Sequence, residues 1–590
     1  MRLILGTIIF WIMILGIKKF LENKLNIDKN FTLVITFSTI GLLIFIAGIL
    51  NIMKIVSLLL IISSILYFFY SIYKEKPNIK KIKDNILKPS NIIPIIIFTY
   101  ITIIGMNMHL THYDNFSHWG LIIKNMLLDN ALPNFEDTMI MFKSYQPGSA
   151  CFVYIYGLLA GKTESAMIVG HNYLTFAFLT PLFAFIKGKN KVLKNLIITM
   201  FYIFIMTISI KFNDLLVDSM IACMAISSLG IIHYYKNDLK KAFLYALPIT
   251  IFTFLVKNTG FLIGIINCIY ILYLSYKSKN IKEGWKYTLI TILTLVVTLL
   301  IWQGHVKLVF GEMSLYSKHS LSSDNIILSL RTKGWDKIFL LIKEYALHLF
   351  TFKNNITNIY ILIINALLLL FAFTNKNKTE RKEILFLAGI VDILYLFYYL
   401  IIGGMYLFSM PWEEAIVFAG YERYMTTIII VIVGIVLMYL LSYDKKKYNL
   451  KLILVPTLLL MILSMNIFPG NVTALLGQDG YQGTLASKYD IILKNYKPSK
   501  EEIYYIYSPS SKNDYSYLEF MSKYKLNTGN IKMIYSKEEL NLKTTGTIIF
   551  IDEDKYLIEE AIKSGWKSKT QLILEKKVIT CINLLNKTLI

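Results

Sequence analysis

The chain has 590 residues, of which 55% are hydrophobic and only 17% charged, and its mean hydropathy is +0.55. That balance excludes a water-soluble globule of ordinary surface chemistry and defines a multi-spanning membrane protein. The formal net charge of +23 does not point to nucleic acid, because the lysines sit in short loops between apolar runs, the pattern of cytoplasmic loops.

Apolar runs of spanning length, or slightly less, predict an all-α polytopic bundle of about 14 membrane helices at about 20 residues each. In chain order they fall near 3–17, 31–50, 55–73, 92–108, 167–186, 196–210, 217–232, 242–256, 261–276, 287–302, 359–373, 384–402, 425–441 and 452–467. The first run lacks a small-residue cleavage site and is followed by lysines, so it is expected to stay as a membrane helix. Segment 74–90 holds six lysines against Glu75 and Asp84, whereas 109–146 holds Lys124 and Lys143 against Asp114, Asp129, Glu136 and Asp137. The lysine bias predicts that the first is cytoplasmic and the second external.

Continuing the alternation puts the basic loops 187–194, 236–241, 277–286, 376–382 and 445–451 together on the cytoplasmic side, provided that 147–159 dips into the outer leaflet without crossing. On the outer face it puts loops 109–146 and 305–358, the turn around Asn213, Asp214 and Asp218, the turn Lys257-Asn258-Thr259-Gly260, the loop 403–424 and everything after Phe468. Three regions follow. Residues 1–90 are N-terminal helices with a cytoplasmic loop, 91–468 a membrane core, and 469–590 a small extracellular α/β domain. In this last region short β-like runs (503–507, 531–535, 547–551, 571–575, 578–584) alternate with helical ones (515–524, 555–564). Its Asp552-Glu553-Asp554 cluster reads as a polar turn ending a strand in preference to a cation site. Cys151, Cys223, Cys268 and Cys581 are scattered and imply neither a disulfide framework nor a metal knuckle.

The chemistry-bearing stretch is His112-Tyr113-Asp114-Asn115-Phe116-Ser117-His118-Trp119-Gly120, directly after an apolar run. An acid, two imidazoles and an indole where a helix leaves lipid are costly unless they are used. Tyr113 to Trp119, followed by Tyr145-Gln146-Pro147-Gly148-Ser149 opening the next helix, resembles the pattern of GT-C fold glycosyltransferases. Those membrane enzymes move sugars from polyprenyl phosphate carriers. In that family the first outer loop carries an essential acid and leads to a Tyr-x-Pro-Pro-Gly or Lys-Pro-Pro helix start; here Gln146 stands in place of the first proline. Tyr421-Glu422-Arg423-Tyr424 resembles the Arg-Tyr element that precedes a late helix in bacterial members. The resemblance covers residues 85–470.

It implies a polyprenyl-phosphate-linked sugar as donor, an envelope polymer or glycolipid as acceptor, and a site at the outer face of the plasma membrane. Transfer from a sugar phosphate needs a base for the acceptor hydroxyl and cationic help for the leaving phosphate, but hardly a general acid. Asp114 is the expected base, against the alternative that it caps a helix beginning near Phe116. Only Arg2, Arg331, Arg381 and Arg423 are arginine in this lysine-rich chain. Arg2 and Arg381 read as topogenic charges. Arg423 and Arg331 are candidates for the bidentate donor that a phosphate favours, against simple pairing with Glu422 or Asp336.

Lys257 either snorkels to headgroups or meets a phosphate at a glycine-bearing helix start. Asp214 reads as a cap or a second acid. His118, four residues after Asp114, would share a helix face with it and is expected to hydrogen-bond the acid or sugar hydroxyls, a metal pair being the weaker reading. Trp119, Tyr113 and Tyr145 suit stacking on a sugar or anchoring at the interface, and Gln146 lines the same helix start. No metal-ligand set stands out, and Glu136-Asp137 leaves the need for a divalent cation open. The competing readings are a lipid-linked sugar transporter or flippase, which would show internal repeats and broken spans; an O-antigen-type polymerase or ligase, which would lean on arginines in the large outer loop; and a non-enzymatic envelope scaffold.

Overall fold

The computed structural model describes residues 1–568 except 26, 135–138, 141, 189, 312–322, 353–354, 376, 443–450, 543–544 and 553, together with 580–581 and 588–589. Runs of Ile, Leu and Phe become helices because only a helix satisfies every backbone group without water. They begin with α1 (Arg2–Leu25), α2 (Lys29–Ile49), α3 (Met53–Glu75), α4 (Ile79–Ile86) and α5 (Pro89–Gly105). A π-helical turn (Asn115–Trp119) leads into α6 (Gly120–Asp129), α7 (Gly148–Ala160), α8 (Glu164–Ala177) and α9 (Lys191–Thr207). The core continues through α10 (Asp218–Tyr234), α11 (Leu239–Val256), α12 (Gly260–Lys277), α13 (Ile281–Phe310) and α14 (Ser323–His348). It ends with α15 (Ile356–Thr374), α16 (Lys378–Phe408), α17 (Trp412–Ala415), α18 (Tyr421–Leu441), α19 (Lys451–Ile467) and α20 (Pro469–Leu475).

Helix α10 is buried along nearly its whole length and packs against α11 and α18, making it the axis of the bundle. By contrast, α3, α13 and α16 carry rows of exposed apolar side chains, such as Leu58, Leu59, Ile62 and Leu66 on α3 and Phe386, Ile393, Leu396 and Leu400 on α16. Apolar surface of that extent is lipid-facing, and the protein is a multi-pass membrane protein.

Among the described residues ten helices are long and apolar enough to cross a membrane, or eleven if Leu454–Ile467 and Pro469–Leu475, bent by 97°, form one broken span. Helices α5, α7 and α10 are apolar but shorter, so the expected count of about 14 is met in part. Helix α7, at 13 residues, is about 20 Å long, short of a hydrocarbon core. The expected loop 305–358 differs more. Helix α13 runs on to Phe310, and α14 occupies 26 residues with a non-helical Gly334 (φ 68°, ψ 166°). Arg331, Lys333, Asp336 and Lys337 break the apolar run there, while the chain stays helical on both sides of the kink at Gly334.

Basic loops gather at one end of the bundle. There the Lys194 ammonium donates to the carbonyls of Leu441 at 2.7 Å and Lys187 at 2.6 Å, and Tyr234 donates to Asp28 Oδ2 at 3.0 Å. The π-helix, the start of α10, the end of α11 and the start of α18 meet at the opposite end, termed the site end below.

After α20 come α21 (Leu485–Asn495), β1 (Tyr504–Tyr507), α22 (Tyr517–Leu526), β2 (Ile531–Ile534), β3 (Thr547–Phe550) and α23 (Lys555–Lys563). The three strands are parallel in the order β2-β1-β3, with Tyr504 opposite both Ile531 and Thr547. Both β1 and β3 are buried throughout, which is why they read as continuous apolar runs. Two-residue strands at Lys567–Ser568, Thr580–Cys581 and Thr588–Leu589 extend the sheet beyond β3. The expected strand 571–575 lies outside the described residues, and of 578–584 only Thr580–Cys581 is described. Asp554 caps α23 by accepting from Leu557 N at 3.1 Å, and Asp552 accepts from Ser508 Oγ, just after β1, at 3.0 Å.

Candidate functional site

Four helix ends bring four charges together. Asp114 sits just ahead of the π-helix, Asp218 is the first residue of α10, Lys257 follows the last residue of α11, and Arg423 lies in the first turn of α18, behind a left-handed Gly420 (φ 74°) that turns the chain into that helix. Arg423 Nη1 donates to Asp114 Oδ2 at 2.7 Å. Its Nε faces Asp218 Oδ2 at 3.7 Å, and Lys257 Nζ donates to Asp218 Oδ1 at 2.6 Å. The result is an alternating chain, Asp114–Arg423–Asp218–Lys257. Tyr424 supports both cations: its hydroxyl accepts from Arg423 Nη2 at 3.0 Å, and its ring lies 5.0 Å from the guanidinium and 5.2 Å from the Lys257 ammonium, distances at which a cation is attracted to the ring face. Asp218 is only 7% exposed, whereas Asp114, Arg423 and Lys257 are 28%, 22% and 21% exposed.

The loop carrying Asp114 is tied down from both sides. Asn115 Oδ1 accepts from Leu215 N at 3.0 Å, and Asn213 donates to the His109 carbonyl at 2.8 Å. His112 Nδ1 accepts from Asp114 N at 3.1 Å. Gln146 donates to Asn258 beside Lys257, and Gly148 packs so closely on the end of α11 that a Cβ there would lie 2.5 Å from the Leu255 carbonyl oxygen.

Behind the charges stands an aromatic layer. His118 is buried with neither ring nitrogen hydrogen-bonded, and Trp119, Tyr145 and Phe142 meet it edge-on at 4.6, 4.8 and 5.6 Å. Burial pushes its imidazole down to about 3, so it is neutral. Burial raises the Tyr145 phenol, which lies within electrostatic reach of Tyr424, Asp114, Arg423 and Asp218. Burial also raises Asp214, against the opposing pull of His112 and Lys211.

Asp114, Arg423 and Lys257 therefore converge, and Gln146 borders them. Arg331 does not: it is exposed on α14. Other expectations are corrected by the geometry. Asp114 makes no side-chain cap bond to the turn that follows it, because its carboxylate is turned to Arg423. Glu422 takes the Ile356 amide at 3.1 Å in place of its neighbour Arg423. Lys257 folds back onto Asp218 and does not snorkel away. The residue at the cap position of α10 is Val217, not Asp214. His118 makes no hydrogen bond to the acid, since the π-turn buries it among rings.

The role of Asp218 was not legible in the sequence, where it stood beside Asp214 as one of two acids near a helix start. Its one available signal was an acid opening an apolar helix at the same predicted depth as Lys257. Among the described residues no group of three or more His, Cys, Asp or Glu could hold a metal ion; Glu136 and Asp137 lie outside them.

A second charge cluster joins the C-terminal segment to the same loop. Lys525 on α22 donates to Glu164 at 2.9 Å, Asp490 at 2.9 Å and Tyr481 at 3.1 Å. Glu164 also accepts from Leu110 N at 2.9 Å, and Asp479 accepts from His109 N at 2.9 Å while the His109 ring stacks on Tyr481 at 4.1 Å. Tyr517 donates to the Thr111 carbonyl at 3.1 Å, and Phe116 packs between Tyr517 and Tyr524. Comparison with protein-family models, curated proteins and solved structures finds no match to this chain.

Proposed function

We propose that this chain is an integral membrane glycosyltransferase, and more particularly one that moves a sugar from a polyprenyl phosphate to a cell-envelope acceptor at the outer face of the plasma membrane. The observation that carries this reading is the ion pair between Asp114 and Arg423, 309 residues apart in sequence and 2.7 Å apart in space, with Lys257 drawn in through Asp218. One part-exposed carboxylate beside two cations, at one end of a membrane bundle, is the minimal set that glycosyl transfer from a phosphate requires.

In the proposed reaction the acceptor O–H gives its proton to an Asp114 oxygen, and the acceptor oxygen bonds to the anomeric carbon. The bond from that carbon to the phosphate oxygen breaks, and its electron pair leaves with the phosphate, whose charge Arg423 and Lys257 stabilise. Tyr145, Trp119 and Gln146 bound the space beside the acid on this reading.

The test is transfer by the purified protein in nanodiscs, supplied with polyprenyl-phosphate sugars and envelope acceptors. Release of polyprenyl phosphate should depend on the acceptor and fall about a thousandfold in Asp114→Asn, with thermal unfolding unchanged. Full activity in that variant refutes the assignment of the base. Movement of the lipid-linked sugar across the bilayer without release of polyprenyl phosphate would favour a transporter.

A further inference from the structure

Resting on the glycosyltransferase reading, the geometry points to a further role for Asp114: it holds the place of the donor phosphate on Arg423 and is released as a base only when that phosphate arrives. The four charges of the site balance, two carboxylates against two cations. A phosphate diester entering this partly dehydrated cluster would set three anions against two cations, so one carboxylate must give way.

Burial decides which. Asp218, bonded to Lys257 and facing Arg423 Nε, is 7% exposed, and withdrawing its partners would strand a charge away from water, the costly outcome for a buried ion. Asp114 is four times as exposed, makes no side-chain cap bond and meets Arg423 through Nη1 alone. Nη2 is held by the Tyr424 hydroxyl. The Nη1 edge is therefore the replaceable position, and a phosphate oxygen seated there displaces the carboxylate towards water and the acceptor hydroxyl. Asp218 becomes a positioning residue that keeps Arg423 and Lys257 in place through the exchange. Donor binding then precedes activation of the acceptor, because a guanidinium occupies the base until the donor is seated.

The exchange makes a counter-intuitive prediction for binding, measured with polyprenyl phosphate itself on the full chain in nanodiscs. Asp114→Asn removes the competitor and should tighten binding about three- to tenfold while abolishing transfer; Asp218→Asn should weaken it about tenfold. Asp114→Ser serves as a second variant, and thermal unfolding of each verifies that affinity is read on folded protein. Glu414→Gln, which removes an acid within electrostatic reach of Tyr113, should change affinity less than about twofold. Binding that is unchanged or weaker in both Asp114 variants overturns the exchange, and so does equal tightening in Glu414→Gln, which would mark a diffuse field effect. A wild-type protein that does not bind polyprenyl phosphate at all removes the glycosyltransferase reading and the exchange with it, so the two failures are distinct.

Discussion

Two charge clusters flank the loop that carries Asp114, and they are built from the same residue types to opposite ends. Around Lys525, 6% exposed, every polar atom is engaged: Glu164 takes both the ammonium and the Leu110 amide, and Tyr481 bonds Asp490 as well as the lysine. Around Arg423 the cluster is open to solvent on one side, and its Nε has no hydrogen-bond partner. A saturated network is rigid and costly to break. An unsaturated one at a mouth can trade partners. The contrast teaches that the presence of paired charges says little about function until their saturation is known.

Three changes would break or sharpen that contrast, taken from the largest effect. Arg423→Lys loses the planar donor and should lower transfer about a hundredfold while shifting thermal unfolding little; a large loss of stability with normal transfer would make this cluster a brace after all. Lys525→Met should do the reverse. It leaves Glu164 and Asp490 without their cation, at a cost of about 2–3 kcal/mol, held below the value for a fully buried pair because Asp490 is 38% exposed. Limited proteolysis reads this as release of the C-terminal segment, and a segment that stays protected counts against the brace.

His118→Phe has the smallest effect and acts through pH. His118 holds no proton in the fold until about pH 3, whereas the unfolded chain takes one up below its ordinary value of 6.5. Stability is therefore present above pH 6.5 and lost as pH falls towards 3, by about 1 kcal/mol per pH unit. The phenylalanine variant should lack that share of the acid sensitivity when unfolding is compared at pH 7 and pH 5. An unchanged slope would mean that water or another group reaches the ring.

Much of this arrangement was legible in the sequence, and for identifiable reasons. Composition alone established the membrane bundle, since runs such as 425–441 carry no charge and have one solution in lipid. Strands β1 and β3 appeared within a residue because buried parallel strands are short and apolar throughout, and β2 because its run Ile531–Ile534 is bounded by turn residues. Asp114, Arg423 and Lys257 were singled out by chemical cost at a boundary, and cost survives folding. What could not be read was pairing. Glu422 adjoins Arg423 in sequence yet serves α15, while the true partner of Arg423 is 309 residues away. Arg331 stood as a second candidate behind Arg423 because residue type carries no address, and the helix formed by α14 left it exposed. The burial of His118 was hidden for a related reason, since four-residue spacing assumes an α-helix and the chain takes a π-turn there.

That turn has a consequence for how this loop tolerates change. A π-turn fits one more residue than an α-helical turn, and Gly120 lies so near the Asn115 carbonyl that a Cβ would stand 2.8 Å from its oxygen. The azimuth of the acid is thus set by how many residues occupy 115–119 as well as by which they are. Excising Ser117 would relax the coil into an ordinary α-helix and swing the carboxylate about 100° around the axis, away from the guanidinium, even with Asp114, Arg423 and the aromatic side chains of the site still in the chain.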